Sequence, residues 1–236
     1  MPVRVCQFLL PFKYYISTGM TFMTEQIATV EKGTDLYQFV KNARVAAAFV
    51  TDVSDFEEAV EYAVDLCGRQ GACRLKVSGC EEHLSESAEQ LCEIKQGKII
   101  AAPGLSDDEY RILSDACGSS GFDCIDSGMR SNLAGVDIGF TYADIGIAET
   151  GTLVLNCPSE ELRLATMICE YHVCILPKSR IVEDAFAAEP QLLEYMSNPS
   201  DYTAFITGPS RTADIERVLT IGVHGPLELH ILVVEG

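Results

Sequence analysis

Two short motifs near the C-terminal end hold most of the residues that can do chemistry. The first runs Ile206-Thr207-Gly208-Pro209-Ser210-Arg211-Thr212-Ala213-Asp214-Ile215-Glu216, and the second Ile221-Gly222-Val223-His224-Gly225-Pro226. Ahead of the first, the apolar run Tyr202–Ile206 reads as a short buried strand. After it, Thr212, Ala213, Ile215, Val218 and Leu219 recur at helical spacing. Gly208–Thr212 is therefore expected to be a tight strand-to-helix turn. Free backbone N–H groups and the positive end of a helix meet at such a turn, which suits an anion. Ser210, Arg211 and Thr212 supply side-chain donors there, and Asp214 is grouped with them. The chemistry implied is capture of a carboxylate or phosphate. His224 lies in a Gly-Val-His-Gly-Pro loop, where an imidazole can donate to an anion or move a proton. A purely structural turn is the alternative for His224.

A second cluster is Asp144-Ile145-Gly146-Ile147-Ala148-Glu149-Thr150-Gly151-Thr152. In a regular strand Asp144 and Glu149 would point to opposite faces, whereas a bulge at Gly146 or Gly151 would bring them together. A carboxylate held in an apolar setting can act as acid, base or nucleophile. Exposure of both at loop tips is the other reading. Glycine at 151 would let a ligand approach the backbone closely. Of the remaining histidines, His83 reads as a solvated helix residue, and His172 and His230 as packed strand residues.

The elements that position these clusters alternate. Thr24–Lys41 reads as a helix and Val45–Val50 as a strand. A helix capped at Asp52–Asp55 then runs to Gly68. Arg74–Ser78, Lys98–Ala102 and Phe122–Ile125 read as strands. Glu82–Ile94 reads as an acidic helix, and Ser106 starts another that ends near Cys117. Val136–Ala148 and Gly151–Leu155 look like antiparallel strands rather than strand–helix–strand units. Glu160–Glu170 and Ala187–Met196 are helical, and His172–Leu176 and Glu228–Val234 extended. The sum is a three-layer α/β domain with a mixed sheet over 43–236, preceded by an N-terminal arm and helix over 1–42.

Composition narrows the partners. The chain has 236 residues, enough for one full core, and carries 35 acidic against 17 basic residues for a net charge of −18. That balance argues against a nucleic-acid surface, which needs clustered Lys and Arg. A small anion would have to be captured by locally converging donors. No stretch approaches the ~20 apolar residues of a membrane span. Val5–Leu10 is too short and lacks a cleavage site, so residues before Met20 read as an arm rather than a secretory signal. The chain has 10 cysteines and none forms a C-x-x-C pair. They read as reduced, mostly buried thiols, with a metal or cluster gathered at Cys67, Cys73 and Cys80 as the alternative. No metal site is expected.

Ala148–Leu153, Gly208–Glu216 and Gly222–Pro226 together resemble the lactate-utilisation protein C family, whose members carry the LUD domain. His172–Pro177 also fits that family's short strand ending in proline. The resemblance covers Ala43 to Glu235. It implies a fold like the NagB/RpiA/CoA-transferase class and a cytoplasmic protein that takes part in oxidising L-lactate to pyruvate. It further implies two iron–sulfur partner proteins that bind the clusters, with no cofactor held by this chain. On this reading Ser210, Arg211, Thr212 and the N–H groups after Gly208 bind the anion, and His224 borders it. Glu149, Thr150, Gly151 and Thr152 form the opposite wall. Two alternatives remain open. One is a stand-alone transferase or isomerase acting on a coenzyme A thioester or sugar phosphate, with Glu149 as nucleophile or base, since coenzyme A transferases of the wider fold class use a glutamate near a glycine turn. The other is a non-catalytic binding or scaffold subunit.

Overall fold

The computed structural model describes residues 33–69, 97–132, 135–198, 201–212, 220–222 and 225–236. Helix α1 (Asp35–Val45) starts at Thr34, whose hydroxyl accepts the Tyr37 N–H at 3.2 Å. The expected helix over Thr24–Lys41 is corrected on both sides. Gly33 and Thr34 are not helical, and the helix continues past Lys41 to Val45, so the first strand starts later than Val45. Residues up to 32 lie outside the described residues.

Strand β1 (Phe49–Val53) leads into α2 (Phe56–Arg69), β2 (Ile99–Ala101), α3 (Asp107–Ser119) and β3 (Asp123–Ile125). The expected strand at Arg74–Ser78, the expected helix at Glu82–Ile94 and His83 fall outside the described residues. Helix α3 begins as its sequence requires: Ser106 and Glu109 form a reciprocal capping box that satisfies two otherwise unpaired N–H groups. Then come β4 (Val136–Tyr142), β5 (Ile145–Ile147), β6 (Thr152–Cys157), α4 (Glu160–Ile168), β7 (Cys169–Pro177), β8 (Ile181–Val182) and α5 (Ala185–Met196). The order closes with β9 (Tyr202–Ile206), β10 (Arg211–Thr212), β11 (Thr220–Ile221) and β12 (Glu228–Val234).

Six strands in the order β1-β12-β7-β4-β2-β3 form a sheet in which every pairing is parallel. A parallel sheet is stable when both faces are covered, and its strands then read as continuous apolar runs. Here α2 and α3 cover one face, packing Val60, Ala63 and Leu113 on Phe140, Val173 and Ile175. The other face carries α1 and a second sheet, β8-β5-β6-β9, with Phe39, Ala43, Leu153 and Leu155 packed on Leu176 and Ile231. Helix α5 covers the far side of that small sheet through Ala188. The result is the expected three-layer α/β architecture, with antiparallel pairings in the smaller sheet and in a separate two-stranded ladder of β10 and β11.

One stretch differs from its reading. Val136–Tyr142 is a central parallel strand, not an antiparallel one. Its small and polar residues, Asp137, Gly139 and Thr141, are all buried. The Asp137 carboxylate accepts the Ile99 N–H at 2.7 Å, Gly139 lies under the Ala165 carbonyl, and Thr141 bonds His172. Among the described residues, no helix is long and apolar enough to cross a membrane.

Candidate functional site

The ends of several elements meet around a pocket of about 310 Å³. Helix α4, capped by the Ser159 hydroxyl on the Leu162 N–H, turns Arg163, Thr166 and Met167 to one side of it. Strand β9 supplies Tyr202 and Phe205, both more than half exposed. The loop Thr207–Ser210, the residues Gly225 and Pro226, and His172 and Leu229 of the large sheet complete it. This size is at the lower end of small-molecule sites.

Among the described residues on the wall, Arg163 is the one Lys or Arg. Its nearest acid is Glu160, at 3.2 Å, but Glu160 is already gripped through both oxygens by Arg130 at 2.7 Å. Arg163 therefore keeps most of its five N–H donors for other partners. Its guanidinium also lies 5.2 Å from the Tyr202 ring centre, a cation–π contact that orients it over the pocket wall.

His172 is the second polar feature. It is 1% exposed, and burial, reinforced by the nearby His230, pulls its pKa down to about 4. Nε2 lies 2.9 Å from the Thr141 hydroxyl, while Nδ1 is buried with no hydrogen-bond partner among the described residues. A buried polar atom left unpaired is costly and rare. The reading of His172 as a packed histidine was therefore half of the matter. Its position in an apolar strand gave no sign that one ring nitrogen would be buried without a partner.

The two C-terminal motifs do come together. The Ser210 N–H donates to the Pro226 carbonyl, and the Ser210 carbonyl accepts the Gly222 N–H, both at 2.9 Å. Gly208 and Ser210 line the pocket. The expected turn is tighter than Gly208–Thr212: Arg211 and Thr212 are already extended, in a short antiparallel ladder with Ile221 and Thr220, and the Ser210 N–H is used. The residues 213–219 on which the helix was expected lie outside the described residues. Arg211 is exposed and donates to the Thr207 carbonyl at 3.3 Å; it does not line the pocket. Asp214 and His224 lie outside the described residues.

The Glu149 cluster is placed differently from its expectation. Thr150, Thr152 and Thr207 form a chain of hydroxyl contacts, each 2.7 Å, so this cluster does adjoin the Gly208 loop. Glu149 itself is exposed and is not on the pocket wall. The close approach at Gly151 is made by protein and not by a ligand. Gly151 has φ +66°, and a Cβ there would stand 2.5 Å from the Asn42 carbonyl carbon and 2.6 Å from the Ala43 Cα. Gly208, at φ +72°, meets the Ala46 carbonyl in the same way. Both glycines thus seat the C-terminal end of α1, which Asn42 fastens by donating to the Ala148 and Glu149 carbonyls at 2.9 and 2.7 Å. Asp144 sits elsewhere, accepting the Asn156 N–H at 2.7 Å, and burial raises its pKa.

Six cysteines are described, and all are free thiols, five of them buried. Among the described residues, no group of three or more His, Cys, Asp or Glu side chains is placed to hold a metal ion. Cys73 and Cys80 are outside those residues.

Comparison with known proteins gives consistent matches. The model of the LUD domain matches residues 36–234. Lactate utilization protein C of Macrococcus caseolyticus is 35% identical over 102 residues, covering 42% of this chain and 44% of that protein. Its namesake from Halalkalibacterium halodurans is 41% identical over 103 residues, with 42% and 44% covered. The aligned region thus spans less than half the length of these relatives. A crystal structure of a DUF162 family protein from Deinococcus radiodurans superposes with a TM-score of 0.55 at 19% identity, covering 87% of this chain and 99% of that one. At that identity the likeness is one of fold.

Proposed function

The chain belongs to the LUD domain family, and from that premise we propose that it works in a lactate-utilisation system and binds a small carboxylate in the pocket under Tyr202. The observation that carries the reading is Arg163. It is a half-buried guanidinium with donors to spare on the wall of a small pocket, in a chain whose net charge is −18. An acidic protein repels anions at long range, so it holds one only where a cation and donors converge. Ser210 lies on the same wall, as do Thr166 and Thr207, whose hydroxyls are engaged by the Arg163 carbonyl and Thr152. The relatives' name supports lactate use, and the pocket's size supports a ligand of that order. The finer proposal is participation in the oxidation of L-lactate to pyruvate, alongside iron–sulfur proteins that carry the clusters.

The test is a thermal-shift titration of the purified chain with L-lactate and pyruvate, repeated on Arg163→Gln. A ligand at a hundred times its Kd stabilises by about 2.7 kcal/mol. For a domain of this size that raises Tm by about 5 °C. The shift is expected to vanish in Arg163→Gln, and an equal shift in both proteins refutes the site. In the reassembled system, Arg163→Gln is expected to lower L-lactate oxidation.

A further inference from the structure

Two thiols meet at the far edge of the large sheet. Helix α3 turns Tyr110 and Cys117 to one side, because residues seven apart are two helical turns apart and share a face. The chain then reverses direction: the Phe122 N–H donates to the Cys117 carbonyl at 2.9 Å, and edge strand β3 packs back against the helix. Cys124 of β3 arrives opposite that face. The Tyr110 hydroxyl donates to the Cys124 carbonyl at 3.0 Å, and the Cys117 and Cys124 sulfurs stand in hydrogen-bonding contact. None of these three residues lines the pocket under Tyr202, so the pair is independent of the carboxylate reading.

The two sulfurs are not equivalent. Cys117 is 0% exposed, packed among apolar side chains with Cys67, whereas Cys124 is half-buried. Burial disfavours a thiolate, so the enclosed sulfur keeps its proton. Its contact with Cys124 and its burial both push the Cys117 thiol up. The Cys117 S–H on its sulfur holds Cys124 below the ordinary thiol value, against its own partial burial. The other described cysteines, Cys67, Cys157, Cys169 and Cys174, are all buried. A solvent-reachable sulfur with thiolate character, beside an enclosed partner thiol, has the geometry of an attacking and a resolving cysteine.

We propose that Cys124 and Cys117 form a redox-active dithiol, which exchange with a small disulfide closes into an internal disulfide between α3 and β3. The Cys124 thiolate attacks one sulfur of the small disulfide. Its S–S bond breaks, and the first small thiolate leaves and takes a proton from water. Cys117 then loses its proton and attacks the Cys124 sulfur of the mixed disulfide, expelling the second small thiol. Two protein thiols are oxidised to one disulfide, and one small disulfide is reduced to two thiols. A dithiol reductant runs the sequence backwards.

The test uses the folded full chain and 2-hydroxyethyl disulfide. An uncharged probe suits a site flanked by exposed Asp123 and Asp126 on a chain of net charge −18. After exposure, the remaining thiols are capped with iodoacetamide and the chain is cleaved after lysine and arginine. Arg111 and Arg130 bracket a peptide that holds Cys117 and Cys124 and no other cysteine, so mass spectrometry reads the pair directly. That peptide is expected to lose two hydrogens and both capping sites before Cys157, Cys169 or Cys174 reacts, and dithiothreitol is expected to restore it. This reading needs no variant to fold. In Cys117→Ser the resolving thiol is gone, and Cys124 is expected to retain one hydroxyethylthio group. In Cys124→Ser, Cys117 is expected to react at least about tenfold more slowly, since a buried sulfur reacts only after local opening. A peptide that stays a dithiol while the buried cysteines react overturns the proposal. So does an adduct that persists on Cys124 of the unmodified chain without closure, or a disulfide joining either sulfur to Cys67.

Discussion

Replacing Gly151 by alanine tests whether the glycine turn at Thr150–Thr152 serves helix α1 or a ligand. Gly151 has φ +66°, a region that costs an L-residue about 1–2 kcal/mol. The new Cβ would also stand 2.5 Å from the Asn42 carbonyl carbon and 2.6 Å from the Ala43 Cα. These are backbone atoms of a helix, so no rotamer change relieves the clash and α1 itself must shift. Overpacking of that kind adds about 1–3 kcal/mol. The expected loss is about 2–5 kcal/mol in total. In urea unfolding, with a slope of about 3 kcal/mol/M, the midpoint should fall by about 1 M. Gly118 is the internal control. It lies inside α3, where an added Cβ meets nothing within 4 Å. Gly118→Ala should therefore stabilise by about 0.5–1 kcal/mol, because alanine loses less backbone freedom in a helix. A Gly151→Ala midpoint within about 0.2 M of the unmodified protein would refute the packing argument.

Two further outcomes are expected. Asn42→Ala removes both donors to the Ala148 and Glu149 carbonyls and should cost about 1–3 kcal/mol by urea unfolding, with no change in slope; an unaltered midpoint would show that α1 is held by its apolar face alone. His172 should leave a pH signature, because burial and the adjacent His230 hold its pKa at about 4 against an ordinary 6.5. The unfolded chain takes up this proton as pH falls below 6.5, while the folded chain does not. Stability present above pH 6.5 is thus lost on going down to about pH 4, by about 3 kcal/mol, and changes no further below. His172→Phe should flatten that part of the profile, and parallel profiles for the two proteins would show that His172 titrates normally.

What the sequence determined by itself is whatever neighbours along the chain decide. The start of α3 follows from Ser106 and Glu109, three residues apart, and the capping box is there. The apolar runs of β7 and β12 announce strands buried on both faces. The C-terminal motifs and their order carried the resemblance to the family, and the LUD domain model matches residues 36–234.

Tertiary structure alone decided the rest, because the partners are distant in sequence. Gly208–Thr212 was expected to be all turn, but Arg211 and Thr212 pair in a ladder with Ile221 and Thr220, a partner the local sequence does not name. The alternation along Val136–Tyr142 read as an antiparallel strand, whereas its parallel neighbours, with Ile99, the Ala165 carbonyl and His172 against its small and polar residues, make it central and buried. Gly151 and Gly208 are glycines on account of α1, more than a hundred residues earlier in the chain. Most of all, nothing local marks Arg163 or His172. Arg163 becomes available only because Arg130 takes Glu160, and His172 is held through one ring nitrogen by Thr141, one strand away, while the other has no partner. A side chain's chemistry depends on which of its polar atoms remain unpaired, and that is settled by packing between strands and helices rather than by its own position in the sequence.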